Sequence, residues 1–147
     1  MPYTSAQYGA RPFYPVALAT NVGTMTATAS GQAVTNSAVA ALPEFTRRTL
    51  INKIKVQVVT APGAGATTVK LIFKNGTSTF AVATIGTNTA GVIVAPAITA
   101  ANAVITRGTA PTVDALGTST ASANTALGLY SFYFEDCEQY DPGQENL

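Results

Sequence analysis

The stretch LINKIKVQVVTAPGAGATTVKLIFKNGTSTFAVATI, running from Leu50 to Ile85, decides the fold. Leu50, Ile54, Val56 and Val58 fall on one side of a period-2 pattern, with Lys53, Lys55 and Gln57 on the other. That alternation predicts a strand with one buried and one solvated face. Thr60-Ala61-Pro62-Gly63-Ala64-Gly65-Ala66 cannot continue a strand, because proline lacks a ladder N–H and glycine has no side chain to pack. A second strand, Val69 to Lys74, then runs into Asn75-Gly76, and a third leads away from Thr77 to Ile85. Asn-Gly is a strong hairpin signal, since both central residues of a type I′ turn need positive φ. A turn closed there sets Lys74 opposite Thr77, Leu71 opposite Phe80 and Val69 opposite Val82. Val69, Leu71 and Phe73 would then share a buried face with Phe80 and Val82.

Working outward, the same signals recur. Before this stretch, Val22 to Thr28 reads as a strand and Ser30-Gly31-Gln32 as a turn. Val34 to Leu42 favours strand over helix through its β-branched residues. After it come a turn at Gly86 to Gly91, a short strand at Val92 to Ala95, and a helical turn or loop at Ile98 to Asn102. Ala103 to Gly108 gives one more strand end. Gly108 to Asn124 reads as a strand between long loops, with Val113 and Leu116 as its anchors. Ala126 to Glu135 is aromatic enough for a central strand, with Tyr130, Phe132 and Phe134 facing the core. Short strands punctuated by Gly, Pro and Asn, without a 3.6-residue period, predict an all-β antiparallel sandwich of jelly-roll type. The expected organisation is an extended N-terminal arm over residues 1–20, a sandwich over 21–140 and a flexible tail over 141–147.

The arm is the unusual part. Residues 1–15 hold three prolines and four aromatic rings. That proline density opposes helix, while a bare flexible tail would be poor in aromatics. Tyr3, Tyr8, Phe13 and Tyr14, with Arg11 among them, predict an arm that lies on a surface, its own or a neighbour's.

Composition narrows the chemistry. The 147 residues carry eight basic and seven acidic side chains and no histidine, and charged residues are only 10% of the chain. Near-neutrality gives no support to a nucleic-acid or membrane partner. The lack of histidine removes Ser-His-Asp and Cys-His catalysis and the commonest transition-metal ligand. A single cysteine, Cys137, permits no intrachain disulfide and no structural zinc site; flanked by Asp136 and Glu138, it reads as an inert thiol at a strand end. No apolar run approaches the ~18–20 residues that span a bilayer, and the N-terminus does not read as a signal peptide. Gly63 to Thr68 lacks the lysine and the spacing of a phosphate loop. Glu135, Asp136, Glu138 and Asp141 form an acidic cluster without EF-hand spacing, one that could meet Arg47, Arg48 or Arg107 of a partner chain. A carboxylate-pair hydrolase using Asp114 and one of these acids is the only enzymatic reading. Nothing in the sequence positions the pair, so the chain is expected not to be an enzyme and to need no cofactor or metal.

A charged-apolar strand (Ile51-Asn52-Lys53-Ile54-Lys55-Val56), the loop Ala61 to Thr68 and the hairpin at Asn75-Gly76 come in a recognisable order. They are followed by the turn Thr89-Ala90-Gly91, a strand ending in Arg107-Gly108, and an aromatic strand ending in Glu135. From Thr46 to Glu138 this resembles the small jelly-roll decoration, or cement, proteins on the heads of tailed bacteriophages. The resemblance implies a structural virion protein, made in the host cytoplasm and bound to the capsid surface as a homotrimer that braces the major capsid protein. Tyr3, Tyr8, Arg11, Phe13 and Tyr14 would be its contact residues. The competing expectation is a jelly-roll module of a phage fibre or spike that binds carbohydrate or a host surface.

Overall fold

The computed structural model describes residues 11–12, 16–86, 89–120 and 123–139. They form twelve strands: β1 (Arg11–Pro12), β2 (Val16–Asn21), β3 (Thr24–Ala27), β4 (Ala33–Ala41), β5 (Thr49–Thr60) and β6 (Ala66–Asn75), then β7 (Ser78–Thr84), β8 (Ile93–Val94), β9 (Val104–Ile105), β10 (Thr112–Ser119), β11 (Ala123–Ala126) and β12 (Leu129–Gln139). A single 3-10 turn, Ala100–Asn102, precedes β9. In the first sheet β5 and β12 lie side by side; β1 and β2 pair with the far edge of β12, and β8 and β9 with the far edge of β5. The second sheet has the order β4-β10-β6-β7, and β3 with β11 forms a small ribbon. Every pairing is antiparallel.

One rule generates this topology. The pairs Arg11↔Gln139, Thr20↔Tyr130, Ala27↔Ala123, Thr35↔Leu116, Val56↔Val94 and Ile72↔Val82 all straddle the same point, with sequence midpoints between 75 and 77. The chain is therefore one long hairpin whose tip is the β6–β7 turn. Folding that hairpin over itself sends successive stretches of both arms to alternate sheets, which is the jelly-roll arrangement. The sandwich expected from the sequence is what forms.

The tip differs in detail from the expected turn. Its central residues are Gly76 and Thr77, between the pair Asn75↔Ser78, and of the two only Gly76 has positive φ (59°). This is the pattern of a II′ turn, which needs glycine only at its first central position. Asn75 serves elsewhere: its Nδ2 donates to Val104 O (2.9 Å) and Asn102 O (3.3 Å), tying the tip to β9 and the 3-10 turn. A bulge between Phe73 and Lys74 then sets Phe73 opposite Ala81, Ile72 opposite Val82 and Leu71 opposite Ala83. Phe80 reaches the core, but Val82 lies outside and is 40% exposed, contrary to the simple two-residue register.

A similar shift corrects β5. Alternation holds from Ile54 to Val58, but Ile51, not Leu50, is buried. The partners run Phe134↔Ile54, Asp136↔Lys53 and Cys137↔Ile51, so Glu135 bulges from β12 and Asn52 from β5. Two reciprocal bulges advance both strands by one residue, and Ile51 and Cys137 turn inward together.

Aromatic rings join the layers. Phe73 of the second sheet meets Phe132 of the first edge-on, centroids 5.6 Å apart, and Phe45 packs on Phe134 at 6.1 Å. Tyr130, Phe132 and Phe134 all face the core as expected. β10 is central although it carries few large side chains. Its inward residues are Val113, Ala115, Gly117 and Ser119, and Leu116 faces out. The small residues are what the space allows: a Cβ on Gly117 would lie 2.5 Å from Leu127 Cδ2 and 3.0 Å from Met25 Sδ. Gly128 is equally constrained, with φ of 103° and Thr60 O only 2.7 Å from the position of an added Cβ.

Urea unfolding checks this core. Phe132→Ala should lower stability by about 3–5 kcal/mol, the cost of an emptied aromatic site, and Gly117→Ala by about 1–3 kcal/mol through overpacking. Tyr133→Ala, on the outer face of the same strand, should cost under about 1 kcal/mol.

Candidate functional surfaces

The strand pattern puts polar side chains on both outer faces. On the first sheet, Lys53 and Lys55 lie two apart on β5 and both reach the bulged Glu135. Lys55 Nζ sits 2.7 Å from Oε1 and Lys53 Nζ 2.9 Å from Oε2. Oε2 is shielded from solvent and held by the lysine's charge rather than by an aligned hydrogen bond. The Lys55 contact first, and then that of Lys53, holds the Glu135 carboxyl below the usual carboxylate range. Beside this trio the Tyr133 hydroxyl donates to Gln57 Oε1 at 3.0 Å, and Ile93, opposite Gln57, is 56% exposed.

The second sheet carries a different device. Between Val113↔Ala40 and Ala115↔Asn36, β4 holds extra residues against the single Asp114. Ala38 takes positive φ (50°) there, and its N–H donates to Asp114 Oδ1 at 2.7 Å. The other oxygen, Oδ2, accepts from Lys74 Nζ at 3.2 Å. Asp114 is buried beneath this bulge on an edge strand, where a bulge also discourages strand addition.

Of the acids named from sequence, Asp141 lies outside the described residues, and the others do not converge. Asp114 faces outward from the second sheet, while Glu135, Asp136 and Glu138 lie on β12 of the first. A hydrolase pair built from Asp114 and one of them has no geometry here. Among the described residues no three His, Cys, Asp or Glu side chains sit close enough to hold a metal ion. The Gly63–Ala66 loop is a clasp: Gly63 N–H donates to Ala126 O at 2.8 Å and Ala66 N–H to Gly63 O at 3.0 Å. A side chain at Gly65 would collide with Thr125. Cys137 is buried, and burial first, then the charge of Asp136, pushes its thiol up to about 12.

A shallow cleft of about 250 Å³ is lined by Asn21, Thr60, Ala126, Gly128 and Leu129. It is smaller than usual ligand sites of roughly 300–1,000 Å³, and its lining has neither an aromatic ring nor an ionisable side chain. Among the described residues no helix is long and apolar enough to cross a membrane.

Of the arm, Tyr3, Tyr8, Phe13 and Tyr14 lie outside the described residues, and Arg11 is placed by its backbone alone. Arg11 and Pro12 pair with Gln139 and Glu138 at the end of β12, an edge position that suits a residue without an N–H. β12 runs on to Gln139, so Glu135, Asp136 and Glu138 belong to a strand, and the tail expected over 141–147 lies outside the described residues. Compared with known protein families the chain matches none, and no curated protein is found to be similar to it.

Two measurements follow from these groups. Native protein should leave Cys137 unmodified by Ellman's reagent until it unfolds, and rapid labelling at neutral pH would contradict its burial. Glu135 has a depressed pKa, so its stabilisation is complete above the unfolded carboxyl value of ~4.3 and is lost as pH falls through its lower folded value. The stability gap between wild type and Glu135→Gln should accordingly shrink below about pH 4.

Proposed function

We propose that this chain is a structural virion protein that decorates and stabilises a phage capsid as a homotrimer, acting by surface burial and not by catalysis. The observation that carries the reading is where the arm departs. The nested hairpin sets β1 beside the end of β12, at the outer edge of the first sheet. Residues 1–10, with Tyr3 and Tyr8, precede this strand in the sequence, Arg11 belongs to it, and Phe13 and Tyr14 follow it. Aromatic side chains bury large areas at low entropic cost, which suits an anchor on a neighbour. The resemblance of Thr46 to Glu138 to cement proteins, now with a jelly roll behind it, supports the same reading.

The mechanism is mass action. A protein that binds only the assembled shell stabilises it by RT ln(1 + [L]/Kd), about 2.7 kcal/mol per site at a hundredfold excess over Kd. Three arms on one trimer multiply the effect through effective concentration. The partner is the major capsid protein, with no part for nucleic acid or membrane, and the location is the capsid surface. A carbohydrate-binding fibre module is the competing reading. The lining of the shallow cleft beside Asn21 offers such a module no ring for a sugar to stack on.

Light scattering after size exclusion tests the oligomer. The full-length chain, 15.0 kDa, should elute as a species of three chains. A strict monomer would overturn the trimeric reading. Sedimentation with shells of the cognate major capsid protein tests the partner: full-length protein should co-migrate and a variant lacking residues 1–10 should stay at the top of the gradient. A full-length chain that also stayed at the top would contradict the proposal.

A further inference from the structure

Asn75-Gly76 is the one place in the chain where glycine follows an asparagine. Asparagine is a thermolabile residue, because the main-chain nitrogen after it can attack its side-chain carbonyl carbon. Glycine leaves that approach open, having no Cβ. The tip is clear on its outer side: a Cβ built on Gly76 would meet nothing within 4 Å, and Gly76, Thr77 and Ser78 are all exposed to water. Among the described residues the Gly76 N–H makes no main-chain hydrogen bond.

The amide that would react is held from the other side. Asn75 Nδ2 donates to Val104 O at 2.9 Å and to Asn102 O at 3.3 Å, so its donor side is committed to a neighbouring segment. Asn102 answers with its own Nδ2, which donates to Thr79 O at 2.8 Å, and Thr99 N–H donates to Phe80 O at 2.8 Å. Two asparagine amides thus tie the β6–β7 hairpin to the segment that carries the 3-10 turn and β9. That strand is only two residues long and pairs with Thr49 and Leu50 at the edge of β5. Ala103 and Ile105, on either side of Val104, are buried, so the tie also seats part of the core.

We propose that Asn75-Gly76 is a deamidation site guarded by the tie to Asn102 and Val104, and that conversion there releases the tip from β9. Cyclisation joins Gly76 N to Asn75 Cγ and breaks the Cγ–Nδ2 bond. Nδ2 leaves as ammonia, carrying the proton that Gly76 N gives up. Water then opens the succinimide at either carbonyl and leaves aspartate or isoaspartate, with no change of oxidation state. While Nδ2 is bonded to two carbonyls of another segment, Cγ cannot turn towards Gly76 N, so the reaction waits on local opening of the tie. Afterwards a carboxylate stands where the amide stood. It has no hydrogen to donate and sets negative oxygen against Asn102 O and Val104 O, which lose their donor. The tie cannot re-form.

Peptide mapping of the full-length chain by mass spectrometry, which reads the replacement of –NH2 by –OH, tests this. In guanidinium chloride at mildly alkaline pH, Asn75 should convert ahead of the chain's other asparagines. In the same buffer without denaturant it should convert at least about tenfold more slowly, the factor that two hydrogen bonds of ordinary strength supply. Wild type aged in native buffer and resolved by charge gives the converted chain without refolding. Its amides over residues 99–105 should exchange with deuterium faster than those of fresh protein while β12 stays protected, and Asn75→Asp should behave in the same way. Equal conversion with and without denaturant would overturn the guard, and an Asn75 that stays intact in guanidinium would overturn the site. A converted chain and an Asn75→Asp variant that keep native exchange over residues 99–105 would overturn the release of β9.

Discussion

The ladder between β5 and β12 is the interaction on which the remaining structure depends. β1, β8 and β9 are strands of two residues each, and β2 has six. Strands that short have no independent stability and persist because a long, paired edge is already there to receive them. β5 and β12 supply both edges. Beneath the ladder, Ile54, Val56, Val58, Tyr130, Phe132 and Phe134 are buried against the second sheet. Above it, Glu135 is clamped by two lysines and Tyr133 is bonded to Gln57. Apolar burial from below and charge pairing from above fix the same register.

That register is not a simple alternation. The paired bulges at Asn52 and Glu135 rotate both strands at once, and the extra residue is where the clamped carboxylate sits. On the other sheet the β4 bulge at Ala38 is held in the same way, by a carboxylate that answers an irregular backbone and a lysine together. With charged residues only 10% of the chain, two acids and three lysines stabilise strand irregularities.

Much of this was legible from the sequence because turn chemistry and period-2 patterning are local. The all-β class, the position of the tip and the inward rings of β12 follow from glycine, asparagine and aromatic spacing. The registers beyond the tip did not, because a bulge is a response to a partner strand. Nothing in Phe73-Lys74 alone announces the shift that sends Val82 outside, and nothing in Asn52 reveals that Glu135 will bulge across from it. β10 was half-read for a related reason: Gly117 fits because Leu127 and Met25 occupy its space, a fact that lives in tertiary contact. Asp114 accepts from Ala38 N–H and from Lys74 Nζ; the signal for those contacts, the surplus length of β4, emerges only once its partner is known.

Under the proposed function the arm is the working part and the sandwich its mount. Hydrogen–deuterium exchange read by mass spectrometry, on the dispersed chain and on the associated form, tests this most directly. The account predicts that peptides covering residues 1–15 gain protection on association while β5 and β12 are already protected in both states. Protection that appears instead across the outer faces of the sheets, with residues 1–15 exchanging equally fast in both forms, would contradict it.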